Sequence, residues 1–93
     1  MQIMHDAARR EFYLICNGTK SLLAYTLHED GVIEFTRTFV PPELRGGSIA
    51  ARLAAAGLAF AVAAGYRIVP SCSYIKHYIT KYPRYRNHLY DQT

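Results

Sequence analysis

The chain has 93 residues, enough for one domain around one modest core and too short for a second. Hydrophobic residues make up 51% of it, which excludes a disordered chain, and a formal charge of +4 with a pI of about 9.3 suits an anionic ligand without naming one. Cys16 and Cys72 cannot make a disulfide framework and read as reduced thiols of a cytoplasmic protein; neither belongs to a CxxC or Cys/His cluster of zinc spacing, so no metal site is expected.

The opening "MQIMHDAARREF" carries charges early and lacks the apolar stretch of a secretory signal. "EFYLICNG" is a short apolar run closed by Asn17-Gly18, a turn signal. "KSLLAYTLHEDG" alternates Leu23, Tyr25 and Leu27 with Ala24 and Thr26 and closes at Glu29-Asp30-Gly31. "VIEFTRTFV" sets Ile33, Phe35, Arg37 and Phe39 on one face and Glu34, Thr36 and Thr38 on the other. These runs predict an antiparallel meander of three strands with tight turns near 17–20 and 28–31. Pro41 and Pro42 stop the third strand, because neither donates to a sheet ladder.

A helix follows from about 48 to 64, with Gly65 as its left-handed cap. Its faces are small or apolar almost all round, so it must be covered by the sheet on one side and by other elements or a partner chain on another. The span "IAARLAAAGLAFAVAAGY" is about long enough to cross a membrane, but Arg52 and the weak hydropathy of alanine and glycine argue for a helix buried in a small domain. "YRIVPSC" is a fourth strand, and "SYIKHYITKY" a second helix ended by Pro83. The tail "RYRNHLYDQT" is polar and basic. The order β-β-β-α-β-α defines an α+β fold over residues 1–93.

"VPPELRGGSIAARL" places Arg45, Gly46, Gly47 and Ser48 at the mouth of the long helix. A helix start leaves N–H groups unpaired and carries partial positive charge, and glycines let a ligand approach the backbone. The combination suits phosphate oxygens, with Arg45 and Arg52 positioned to add charge-assisted bonds. The same residues also read as a loop followed by an N-cap serine. The turn is neither a Walker loop nor a GxGxxG fingerprint.

In that setting the stretch resembles the acyl-CoA-binding motif Q/R-x-x-G-x-G/A of the GCN5-related N-acetyltransferases, standing here as Arg45-Gly46-Gly47-Ser48-Ile49-Ala50. The whole chain, from about 5 to 89, is similar to very small members of that family that read "VPPELRG.GIA..L", "VVPLCSY" and "YI..HPEY"; the counterparts here are "VPPELRGGSIAARL", "IVPSCSY" and "YITKYPRY". The resemblance implies antiparallel strands, a cofactor helix, and a last strand splayed from its neighbour with acetyl-CoA in the splay. It implies that the pyrophosphate lies on the N–H groups of Gly46 to Ala50, that the pantetheine pairs near Phe39 and Val40, and that the Cys72 region faces the thioester. The sequence departs from the pattern at three places. Ser48 replaces the motif glycine, Arg37 and Phe39 replace a usual His and Glu, and Tyr82-Pro83-Arg84-Tyr85 replaces "HPEY".

Acetyl transfer needs a neutral amine, a polarised carbonyl and a protonated leaving thiolate. Cys72 is a candidate acid or nucleophile and Tyr78 a candidate proton donor; the alternative reading makes Cys72 a small buried hydrophobe and Tyr74, Tyr78 and Tyr82 a packing face. Lys76, His77 and Lys81 read as a basic face able to meet a 3′-phosphate or simply solvated, and His5, His28 and His88 show no partner in the sequence. The expectation is an acetyl-CoA-dependent N-acetyltransferase acting on an unidentified amine acceptor, as a monomer or weak homodimer. The alternative is a non-catalytic acyl-CoA-binding module, favoured by the loss of a carboxylate at Phe39. A nucleic-acid-binding domain fits less well, because the charges are scattered and the glycine turn would go unexplained.

Overall fold

The computed structural model describes residues 2–90. It is a five-stranded sheet in chain order, β1 (Met4–Asp6), β2 (Glu11–Cys16), β3 (Thr19–His28), β4 (Val32–Phe39) and β5 (Arg67–Pro70). Helix α1 (Ile49–Ala63) connects β4 to β5, and α2 (Ser73–Lys81) follows β5. Short 3-10 segments lie at Pro42–Leu44 and Pro83–His88.

The predicted meander is present as β2, β3 and β4, with one antiparallel strand more than expected. β1 pairs with β2, Met4 opposite Tyr13 and Asp6 opposite Glu11. It is three residues long and mostly exposed, so it carries no alternation from which to read it. Asn17 and Gly18 both have positive φ, as a two-residue hairpin between Cys16 and Thr19 requires. β5 pairs with β4 in parallel from Val32↔Arg67 to Phe35↔Pro70. The tail is not simply solvated. Tyr85 is buried, Leu89 bridges to Ile68, and the Tyr90 N–H donates to the Ile68 carbonyl at 2.8 Å. Asp91, Gln92 and Thr93 lie outside the described residues.

The core forms where α1 meets one face of the sheet. Leu23, Ile33, Phe35, Leu53, Leu58, Ile68 and Ile75 are all fully buried. Gly57 is the point of closest approach: a Cβ there would stand 2.6 Å from Leu23 Cδ2 and 3.1 Å from Phe35 Cε1. The alanine-rich composition thus serves helix propensity and also close helix-to-sheet packing. α1 starts at Ile49, not at Ser48, whose side chain makes no capping bond. It ends in a Schellman arrangement, with Gly65 N–H to Val62 O at 3.1 Å, Tyr66 N–H to Ala61 O at 2.9 Å, and Gly65 at φ +77°.

The face assignment along β4 needs correction. Ala24 opposes Arg37 but Tyr25 opposes Phe35, so Thr36 is an extra, bulged residue. Residues directly opposite share a face. Phe35 therefore points inward with Tyr25, whereas beyond the bulge Thr38 points inward with Leu23, and Arg37 and Phe39 point outward with Ala24 and Leu22. Alternation read through the strand without the bulge places Arg37 and Phe39 on the wrong side.

Candidate functional site

The bulge at Thr36 and the end of β4–β5 pairing at Phe35 coincide. A bulge bends its strand and increases local twist. β4 runs on to Phe39 while the other chain turns away after Pro70; the last link between them is the Cys72 N–H donating to the Phe35 carbonyl at 2.8 Å. A wedge opens beyond it. Because β4 and β5 are parallel and each leads into a helix, the N-termini of α1 and α2 lie toward the same end of the sheet, the end where open α/β sheets bind ligands.

The glycine turn forms one wall. Val40, Leu44, Arg45, Gly46, Gly47, Ile49 and Ala50 line a shallow cavity of about 90 Å³. Gly46 has φ +88°, a conformation that side-chain-bearing residues rarely adopt, whereas Gly47 has an ordinary φ and a Cβ there would meet the Leu44 carbonyl at an ordinary 3.9 Å. The first internal bond of α1 is Arg52 N–H to Ser48 O at 2.9 Å, so the N–H groups of Ile49, Ala50 and Ala51 precede the helix ladder. No acidic residue stands in the first turn to offset the positive helix end. Arg45 closes the loop: its Nε donates to the Val40 carbonyl at 2.7 Å, and its N–H donates to Pro42 O. Part of its bonding capacity thus holds the turn in shape. Arg52 is half-buried on the first turn of α1.

Cys72 and Thr38 face one another across the wedge, Thr38 Oγ1 lying 3.1 Å from Cys72 Sγ. Cys72 is buried and stands at the N-cap of α2 without a side-chain capping bond. Tyr78 lies within a ring cluster, its centroid 4.7 Å from Tyr82, 6.3 Å from Tyr74 and 6.2 Å from Tyr85. Burial, with smaller contributions from the neighbouring tyrosines, pushes the Tyr78 phenol up, so it stays protonated. The tyrosine spacing is a packing face. Lys76, His77 and Lys81 are exposed.

On the outer side of the same wedge lies a cluster that the sequence did not reveal. Ser71 Oγ donates to Glu34 Oε2 at 2.5 Å, and His28 Nε2 lies 2.8 Å from Glu34 Oε1. The Ser71 hydrogen bond, then that of His28, holds the Glu34 carboxyl below the usual carboxylate range. His5 also has a partner, Tyr25, whose hydroxyl is 2.6 Å from Nε2, and it stacks on Phe12. Ser71 and Glu34 are 37 positions apart and His5 and Tyr25 are 20, whereas His28 and Glu34 are only six apart across the β3–β4 hairpin; strand register brings each pair together. A second hollow, about 330 Å³ and lined by Ala59, Val62, Ala63, Arg84, Tyr85 and His88, lies between the C-terminal half of α1 and the Pro83–His88 segment and has no glycine turn.

Among the described residues no helix is long and apolar enough to cross a membrane, and no group of three His, Cys, Asp or Glu side chains could hold a metal ion.

The bulge, the end of the β4–β5 ladder and the glycine-led helix start lie together at one end of the sheet. The GCN5-related N-acetyltransferase family model matches residues 11–89, and the chain belongs to that family. It is 33% identical over 93 residues to Protein NATD1 of Gallus gallus, spanning 96% of this chain and 84% of that protein. Protein NATD1 of Homo sapiens is 32% identical over 85 residues, 89% of this chain and 75% of that one. The solution structure of a GCN5-like protein from Staphylococcus aureus superposes with a TM-score of 0.76 at 23% identity, covering 99% of this chain and 90% of that chain, a likeness of fold.

Proposed function

We propose that the protein is an acetyl-CoA-dependent N-acetyltransferase that acylates an amine. The observation that carries this reading is the coincidence, at Phe35, of the Thr36 bulge with the end of β4–β5 pairing, beside a helix start kept free of acidic side chains. The residues fit the cofactor. The N–H groups of Gly46 to Ala50 suit a pyrophosphate, and the missing side chains of Gly46 and Gly47 let it approach the backbone. Arg45 shapes the turn, and Arg45 and Arg52 add positive charge. The main chain of Phe39 and Val40 lies on the β4 edge left without a β5 partner and suits an extended pantetheine amide chain. Acetyl-CoA supplies the activated acyl group. In this reading Cys72, at the head of α2, is the candidate acid or nucleophile, and the Tyr78 phenol, kept protonated by burial, is the candidate proton donor to the leaving thiolate.

The test is calorimetric titration with acetyl-CoA at moderate salt, followed by acceptor-dependent release of free CoA. One-site binding that is lost in Gly47→Glu, together with CoA release that depends on an added amine, supports the reading. The absence of binding at millimolar acetyl-CoA refutes it. A second reading, an acyl-CoA-binding module without catalysis, is favoured by Phe39 standing where relatives of the small-member pattern carry a carboxylate; it predicts the same titration with no acceptor-dependent release.

A further inference from the structure

We infer that the Glu34–Ser71–His28 cluster on the outer face of the wedge receives the cationic ammonium of the acceptor before transfer. The inference rests on the N-acetyltransferase reading and adds to it the charge class of the acceptor and the residues that hold it.

Position is the first argument. Glu34 opposes Val69, one residue before the Phe35↔Pro70 pair that ends the β4–β5 ladder. Cross-strand pairing with Thr26 sets Glu34 on the outer face, opposite to Phe35. Ser71, bonded to Glu34, immediately precedes Cys72, whose Sγ meets inward-facing Thr38. Consecutive residues thus mark the two sides of one opening: Cys72 toward the core, Ser71 and Glu34 toward solvent. A donor held on the inner side and an acceptor held on the outer side would meet at the opening between them.

Chemistry is the second. An ionised carboxylate offers about four lone-pair positions. Ser71 and His28 occupy one on each oxygen, which fixes the group while leaving acceptor capacity, and the side chain keeps 27% of its surface exposed. Arg37, the nearest cation along the same strand face, rests its guanidinium on the Phe39 ring at 5.5 Å. The ion-pair partner of Glu34, His28, carries charge only when protonated, whereas Glu11 is paired with the lysine Lys20 and Asp6 with Arg9. A primary amine is a cation at neutral pH, with a usual pKa of about 10.4. A carboxylate held below its ordinary range is charged throughout the neutral range in which that ammonium is also charged, and is correspondingly a weak base. Glu34 therefore anchors the ammonium; it does not take its proton.

The test follows backbone amide NMR shifts during titration with n-butylammonium chloride, with n-butanol as the neutral control. Saturable shifts centred on Glu34 and Ser71, weakened about tenfold or more in Glu34→Gln, reduced in Ser71→Ala and unchanged in Glu29→Gln, are expected. Acetyl-CoA titration of Glu34→Gln should match the parent, and where transfer is measurable the substitution should raise KM for the amine far more than it lowers kcat. Shifts of equal size in Glu34→Gln, an equal response to n-butanol, or no saturation with the parent protein overturns the inference. Because the amine titration needs no acetyl-CoA, loss of the cofactor reading and loss of this one are told apart.

Discussion

Thr38 Oγ1 and Cys72 Sγ lie 3.1 Å apart although 34 positions separate them in the chain, and they meet beyond the point where the ladder between their strands has ended. They form the side-chain link on the inner side of the wedge, as Ser71 and Glu34 do on the outer side. Thr38 reaches this place because the bulge at Thr36 turns it inward. Thr38→Val keeps the shape and removes the hydroxyl, and should cost about 1 kcal/mol of stability, read by denaturant unfolding. In the parent protein, iodoacetamide should modify half-buried Cys16 well before buried Cys72, read by mass spectrometry. The reverse order would mean that the wedge opens more widely than its closed end implies.

Gly57, the one glycine of α1, should resist replacement. Alanine there gains up to about 1 kcal/mol of helix propensity. It also drives a methyl group into Leu23 and Phe35, both fully buried, and overpacking of this kind costs about 1–3 kcal/mol. Net destabilisation is expected, and Gly57→Val should be worse. A melting temperature unchanged in Gly57→Ala would show that α1 can lift from the sheet without cost.

The adjacent glycines of the turn should separate stability from binding. Gly46→Ala places a side chain at φ +88° and should cost about 1–2 kcal/mol. Gly47→Ala has ordinary φ and only an ordinary contact with the Leu44 carbonyl, and should leave the melting temperature within a degree or so of the parent. Its effect should appear in the acetyl-CoA titration, as weaker binding, because the methyl group enters space reserved for the ligand. Equal binding by the parent and Gly47→Ala would place the pyrophosphate elsewhere.

Glu34 should link stability to acidity. Its carboxyl is lowered from 4.5 by Ser71 first and His28 second, so the folded form binds the proton more weakly than the unfolded chain. The contribution is present above pH 4.5 and is lost as pH falls through the lower folded value. Comparing melts of the parent and Glu34→Gln, the gap between them at pH 7 should narrow as the pH falls below 4.5. A gap that widened in acid would reverse the assigned direction.

Much of the fold is legible in the sequence because it is written locally. Asn17-Gly18, the prolines after Phe39, the alanine run and Gly65 each set a boundary by their own backbone chemistry, and the structure keeps those boundaries within a residue or so. β1 is missed because three exposed residues hold no pattern, and the outward turn of Arg37 and Phe39 is missed because nothing in the run "EFTRTF" announces an extra residue. The glycine turn is visible as a motif. The Glu34, Ser71 and His28 group is not, since Glu34 and Ser71 lie 37 positions apart and only parallel pairing of β4 with β5 joins them.

The bend in β4 is set by counting. One unpartnered position on β4, Thr36, separates a strand that would continue its ladder from one that leaves it. The chemical identity of that residue matters little beyond its hydroxyl bond to the Ala24 carbonyl, so Thr36→Ser or Thr36→Val should still open the sheet. Removing the residue altogether would keep Arg37 opposite Ala24 and Thr38 opposite Leu23, so the faces would stay as they are, but it would erase the bulge and with it the bend that coincides with the end of the β4–β5 ladder. Descendants of this gene can therefore drift in letters at position 36 but not in length, and a lost codon there would be harsher than any single exchange in the strand.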